Sequence, residues 1–254
     1  MSETWSETRH GRTAVLTFAR PPRNWMSVRA MGELVVCLER LAEATADVSV
    51  VMLTGGVDGY FIAHADLDDL ARLSRGEDVG GDLRSWTKAL GLLESIPQPT
   101  VAAIDGQAWG GGCETALACT LRVGSERAHL GQPEVSVGII PGAGGTQRLP
   151  RLVGLGVGAE LCLSGRVIGA EEAKRIGLLN DVLPTADFVT HALGWCERIA
   201  RHPAPALFAA KRAIVQGTRL PLAEGLALEG RLFAEVNASA EARALNARVP
   251  RPGS

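Results

Sequence analysis

Residues 48–54 read VSVVMLT, a nearly unbroken apolar run rich in β-branched side chains and closed by Gly55-Gly56. A strand that alternates apolar and polar residues wets one face, whereas a strand apolar at successive positions is buried on both. Such a strand demands a parallel sheet covered above and below. The neighbouring segments fit that demand. Residues 12–19 read as a strand stopped by Pro21-Pro22, and residues 28–44 carry Met31, Leu34, Val35, Leu38 and Leu41 near helical spacing. Residues 101–105 form a second buried strand between Pro99 and Gly106, with shorter strands at 121–125 and 128–131. Residues 61–64 read as one more short strand, with Asp66 placed to cap an acidic helix after it. From Gly144 onward helical patterning dominates. Phe188, Ala192, Cys196 and Ile199 make one stripe, and helices are expected over 205–216 and 222–247. Strands alternating with helices, then helices alone, define an α/β core with a helical C-terminal part.

Composition narrows the function classes. Apolar residues make up 46%, charged residues 21%, and the formal net charge is −2, which excludes a disordered chain and offers no basic surface for nucleic acid. No stretch approaches the roughly 18 uninterrupted apolar residues of a membrane span. The start, MSETWSETRHGRT, lacks a hydrophobic segment, so a cytoplasmic location is expected. Cys37, Cys113, Cys119, Cys162 and Cys196 form no CxxC pair and sit in apolar surroundings, as reduced core thiols do.

Three segments carry candidate chemistry. In Trp109-Gly-Gly-Gly-Cys-Glu-Thr-Ala-Leu, glycines between a strand and a helix admit a close ligand, and the first N–H groups of the helix suit a developing oxyanion beside Glu114. Glycine packing at a tight turn, with Glu114 as a capping carboxylate, explains the same residues equally well. In GQPEVSVGIIPGAGGTQR (131–148), Glu134 has apolar neighbours that raise its proton affinity, the condition for a general acid; an exposed loop glutamate is the alternative. In GYFIAHADL (59–67), a small-residue turn again presents N–H groups around Ala65, and two donors from separate turns make an oxyanion hole. Other chemistries find no support. GAGGTQ fails the dinucleotide and phosphate-loop spacings, no GxSxG occurs, and His10, His64, His129, His191 and His202 lack metal-ligand spacing.

Together these segments resemble the enoyl-CoA hydratase/isomerase (crotonase) superfamily from about Thr13 to about Phe233. The markers are RPPRN (20–24), FIAHADL (61–67), AIDGQAWGGGCETALAC (103–119), GQPEVSVGIIPGAGGTQRLPRLVG (131–154), LCLSGRVIGAEEAKRIGLLNDVLP (161–184) and the late Ala210-Lys211. The resemblance implies a crotonase-like spiral of ββα units over 1–195 with a helical C-terminal trimerisation region over 196–254, assembled as a homo-trimer or dimer of trimers. It implies an acyl-CoA thioester as substrate, polarised by the N–H groups of Ala65 and Gly111, with Ala63, His64, Asp66, Leu67 and Asp68 along its path. Family members resembling crotonase keep two glutamates, matched here by Glu114 and Glu134. By that resemblance Glu114 activates the water attacking C3, Glu134 delivers a proton to C2, and the Gly142 N–H helps hold the water. The implied reaction is reversible hydration of a trans-2-enoyl-CoA to a 3-hydroxyacyl-CoA, with no cofactor beyond the coenzyme A of the substrate, no nucleic acid and no membrane.

Four departures qualify the match. His64 stands where most relatives have glycine, Asp68 where many have lysine, and Thr120 where aspartate is frequent; the ending ARALNARVPRPGS lacks the usual aromatic and lysine residues. The alternatives are isomerisation, decarboxylation or hydrolysis of an acyl-CoA, or acyl-CoA binding without turnover. By the resemblance, isomerases need only the second glutamate, so Glu114 favours hydration, and a scaffold needs neither acid.

Overall fold

The computed structural model describes residues 4–248. Its main sheet has six strands: β1 (Trp5–His10), β2 (Thr13–Phe18), β3 (Val50–Gly55), β4 (Thr100–Ile104), β6 (Leu121–Ser125) and β9 (Asp181–Leu183), in that spatial order. Only the edge strand β1 runs antiparallel to its neighbour. A smaller sheet joins β5 (Gln107–Trp109), β7 (His129–Gly131) and β8 (Val167–Gly169). Around them lie α1 (Val28–Glu43), α2 (Leu67–Ser74), α3 (Arg84–Ser95), α4 (Gly111–Ala118), α5 (Gly145–Val153), α6 (Leu155–Ser164) and α7 (Ala170–Arg175). The chain closes with α8 (Phe188–Ala200), α9 (Ala204–Gly217), α10 (Leu222–Asn237) and α11 (Ala240–Asn246).

The VSVVMLT run is buried on both faces, as its pattern requires. Val51 and Leu53 face the larger core with Leu16, Phe18 and the α1 residues Met31, Leu34, Leu38 and Leu41. Val50 and Met52 face the second core, closed by Phe188, Ala192, Cys196 and Ala200 of α8. Each fully buried side chain of this size contributes about 2 kcal/mol of transfer free energy. The inward stripe of α8 crosses position 195, so the expected division between 1–195 and 196–254 cuts through a helix that seals the sheet.

Two other expectations change, and one strand was not expected. Residues 61–64 do not form a ladder strand; they are tied by single bonds, Phe61 N–H to Gln107 O (3.1 Å) and Ala63 N–H to Asn24 O (3.1 Å). The helix expected over 222–247 breaks at Ala238, and the Ser239 side chain caps α11 by accepting the Ala242 N–H at 3.1 Å. Strand β1 escapes its polar sequence because only Trp5 of its six residues is buried. Of the C-terminal segment that departs from the family pattern, residues 249–254 lie outside the described residues, as do 1–3 of the N-terminal one. Among the described residues no helix is long and apolar enough to cross a membrane.

Candidate active site

The small sheet places the glycine run. Trp109 N–H bonds Ala63 O (2.9 Å) and Gly110 N–H bonds Gly131 O (2.9 Å), so the chain enters α4 fixed between the 61–66 segment and β7. The 61–66 segment is fixed from its other side by Met26 N–H to His64 O (2.9 Å) and Asp66 N–H to Met26 O (2.8 Å). Ala65 N–H is left over. It lies beside Gly111: a Cβ built on Gly111 would stand 3.2 Å from Ala65 N. Among the described residues neither Ala65 N–H nor Gly111 N–H, at the first position of α4, has an acceptor. Two neighbouring unpaired N–H groups can polarise one carbonyl oxygen.

A cavity of about 370 Å³ opens over this pair. Glu114, Glu134, Ala65, Gly111, Gly142, His64, Asp66 and Leu67 line it, while Ala63 and Asp68 do not. Ala63 is fully buried with its backbone committed, and Asp68 is exposed on α2. His64 leaves the Ala65 N–H uncovered: its ring packs on Trp25 at 5.0 Å between centroids, and Nδ1 donates to Ala65 O at 2.6 Å. Asp66 caps α2 by accepting the Asp68 N–H at 2.9 Å and pairs with Arg20.

The two glutamates enter the cavity from different elements. Glu114, buried in the first turn of α4, reaches across to α5, where Oε1 accepts the N–H groups of Ala143 (2.7 Å) and Gly145 (2.8 Å). It is a capping carboxylate after all, but for another helix. The Gly142 N–H, expected to hold a water, bonds neither glutamate and has no acceptor among the described residues. Burial raises the Glu114 pKa, against the two N–H bonds and the nearby Arg148 charge, which lower it. Arg148 grips the same turn: Nη1 donates to Ala143 O (2.8 Å) and Nε to Glu94 (2.6 Å), which also accepts from Arg219 (2.6 Å).

Glu134 sits on a short 3-10 turn, Pro133–Val137, with its carboxyl over Gly110. Burial and, to a lesser extent, the Glu114 charge push it up to about 7 against a bond from its own backbone. Fully buried Gln132, with its amide nitrogen turned toward Glu134, donates to both carboxyl oxygens at 3.0 and 3.2 Å. The sequence offered no sign of Gln132 in this role beyond its place two residues before Glu134. Cys113 is also close by, but burial pushes its thiol up to about 12, so it is no nucleophile near neutral pH. Trp109, on the wall, donates from Nε1 to His129 Nδ1 at 3.0 Å. Among the described residues no group of three His, Cys, Asp or Glu side chains is placed to hold a metal ion.

Two unpaired N–H groups and two carboxyl groups face one largely apolar cavity, an arrangement that can polarise an acyl oxygen and exchange protons beside it. Comparison supplies the family. The enoyl-CoA hydratase/isomerase family profile matches residues 8–248, and the chain belongs to that family. Among curated relatives, the 2,3-dehydroadipyl-CoA hydratase of Escherichia coli is 40% identical over 228 residues, 89% of this chain and 87% of that protein. The short-chain-enoyl-CoA hydratase of Clostridium acetobutylicum is 35% identical over 228 residues, again 89% and 87%. Among solved structures, the enoyl-CoA hydratase of Bacillus anthracis superposes with a TM-score of 0.88 at 34% identity, covering 96% of this chain and 95% of its own.

Proposed function

We propose that this chain is an enoyl-CoA hydratase, a hydro-lyase that adds water reversibly across the 2,3 double bond of a trans-2-enoyl-CoA. One observation carries the reading: two carboxyl groups, one held by backbone N–H groups and one with its pKa raised to about 7 by burial, share a cavity with an unpaired N–H pair. Glu114, tethered by Ala143 and Gly145 N–H groups, keeps one oxygen for a water. Glu134, with a pKa near 7, holds a proton to give. In the forward step the thioester oxygen accepts from Ala65 and Gly111 N–H groups, which form the oxyanion hole as negative charge develops. Glu114 takes a proton from the water as its oxygen bonds C3, with the Gly142 N–H holding that water. The C2 carbanion equivalent takes the proton of Glu134. After product leaves, the proton taken by Glu114 returns to Glu134 through solvent, so each turnover consumes water alone and calls for neither a metal nor a redox cofactor.

The same reading carries a cytoplasmic enzyme that assembles as a trimer or a dimer of trimers. Leu222, Leu226 and Phe233 of α10, and Leu155 and Leu163 of α6, stand more than half exposed, the apolar surface that self-association would cover. Sedimentation of the purified protein tests the assembly.

Loss of the enone absorbance of crotonyl-CoA tests the chemistry. Glu114→Gln and Glu134→Gln each lower kcat about 10²- to 10⁴-fold while acyl-CoA still binds. Full turnover by either variant removes that glutamate from the mechanism; if only a 3-enoyl-CoA reacts, the chemistry is isomerisation and the hydratase reading fails.

A further inference from the structure

The acyl cavity combines apolar walls with acidic side chains. Its walls include Val28, Leu70, Leu73, Leu83, Trp86 and Ile140. Neither lysine nor arginine lines the cavity, whereas Asp66 and Asp69 do, in addition to the two glutamates. The four acids are not equivalent. Asp66 is matched by Arg20. Asp69 accepts only the Val28 N–H, at 2.8 Å, and among the described residues no cation pairs with it. Trp86 closes the other side: its ring edge lies so close to Gly111 that a Cβ there would stand 2.7 Å from Cη2. A thioester oxygen held at Gly111 therefore starts its chain along the indole and leads it among apolar side chains.

We infer that this site selects 2-enoyl-CoA thioesters with an uncharged alkyl tail and rejects those whose tail ends in a carboxylate, Asp69 being the residue that adds repulsion. The inference deepens the hydratase reading and rests on it. A tail carboxylate would leave water for an apolar wall that offers no cationic partner, and would face a fixed acid of its own sign. The first relative described above is named for a substrate of that charged kind, so kinship and cavity lining point in opposite directions here.

The test compares two six-carbon substrates that differ at the chain end, trans-2-hexenoyl-CoA and 2,3-dehydroadipyl-CoA, with crotonyl-CoA as reference. The full chain hydrates hexenoyl-CoA with a kcat/KM about 100-fold or more above that for dehydroadipyl-CoA. Asp69→Asn, which keeps an acceptor for the Val28 N–H, narrows that ratio about threefold or more. Equal or reversed kcat/KM values for the two wild-type substrates overturn the inference and leave the hydratase reading intact. A ratio unmoved by Asp69→Asn overturns the part given to Asp69. Failure to turn over any of the three substrates overturns the reading beneath.

Discussion

Alanine at Gly111 and alanine at Gly112 are chemically the same change one residue apart, and the geometry gives them opposite effects. A Cβ on Gly111 meets Trp86 Cη2 at 2.7 Å and the Ala65 N and Cβ atoms at 3.2 Å. The first contact is the free edge of a half-buried ring, which can shift. The helix itself gains, since alanine exceeds glycine by about 1 kcal/mol in helix propensity. Stability of Gly111→Ala should therefore stay within about 1 kcal/mol of the parent. The new methyl, however, occupies the space between the two N–H groups. Loss of one such donor costs about 3 kcal/mol in the transition state, or 10²- to 10³-fold in kcat.

A Cβ on Gly112 instead lies 1.9 Å from Ile62 O and 2.9 Å from Ile62 C, both backbone. Backbone within the fixed 61–66 segment cannot give way, and overpacking of this severity costs about 3 kcal/mol or more. For a chain of this length that lowers Tm by about 6–12 °C. Crotonyl-CoA hydration and a thermal melt followed by circular dichroism, on both variants, separate the two effects. A Gly111→Ala enzyme with kcat within threefold of the parent would refute the placement of the thioester oxygen.

Two further outcomes follow from buried charge. The reactive enzyme holds its proton on Glu134 with Glu114 ionised, so kcat/KM for hydration falls about tenfold per unit above about pH 7, and dehydration, tied to hydration by a pH-independent equilibrium, follows the same alkaline limb. A hydration profile with no alkaline limb near pH 7, or one that keeps that limb in Glu134→Gln, would remove Glu134 as the proton donor. On α9, Lys211 donates to Leu93 O (3.1 Å), Ile96 O (2.8 Å) and Gln98 O (2.8 Å), closing the C-terminal end of α3. Lys211→Met leaves those carbonyls without this donor and should lower stability by about 3 kcal/mol in denaturant titration. Burial lowers the Lys211 pKa to about 8, so unfolding takes up a proton between there and the ordinary value of 10.5. The parent therefore gains stability as pH rises through that window, and a Met variant with the same slope would contradict the assignment.

Much of this architecture is legible along the chain because it obeys short-range rules. Val50 to Leu53 alternate between two cores, and both faces had to be apolar for the run to exist. Asp66 caps α2 as its place before an acidic helix suggests. The pairing of Glu114 with Glu134 was readable only through family resemblance, since 20 residues separate them and no periodicity relates them. What escaped is the support for these groups. Gln132 reads as one more polar residue, and the partners of Glu114 at Ala143 and Gly145 are backbone atoms that carry no side-chain signature. Thr120, marked as a departure, exchanges hydrogen bonds with Thr100, each backbone N–H donating to the other's hydroxyl, a match visible only once β4 and the end of α4 are adjacent.

Removing an active-site acid from a protein commonly relieves strain and raises stability. Glu114 reverses that expectation, because its carboxylate also seats the entrance of α5. Truncation to alanine would strand two amide hydrogens at about 1–3 kcal/mol each. Glu134, half-buried on a short turn, accepts from the Gln132 side chain and its own backbone and, among the described residues, joins no second helix. A chain that gave up the acid at 114 would therefore have to find another acceptor for the Ala143 and Gly145 amides before it could change its chemistry.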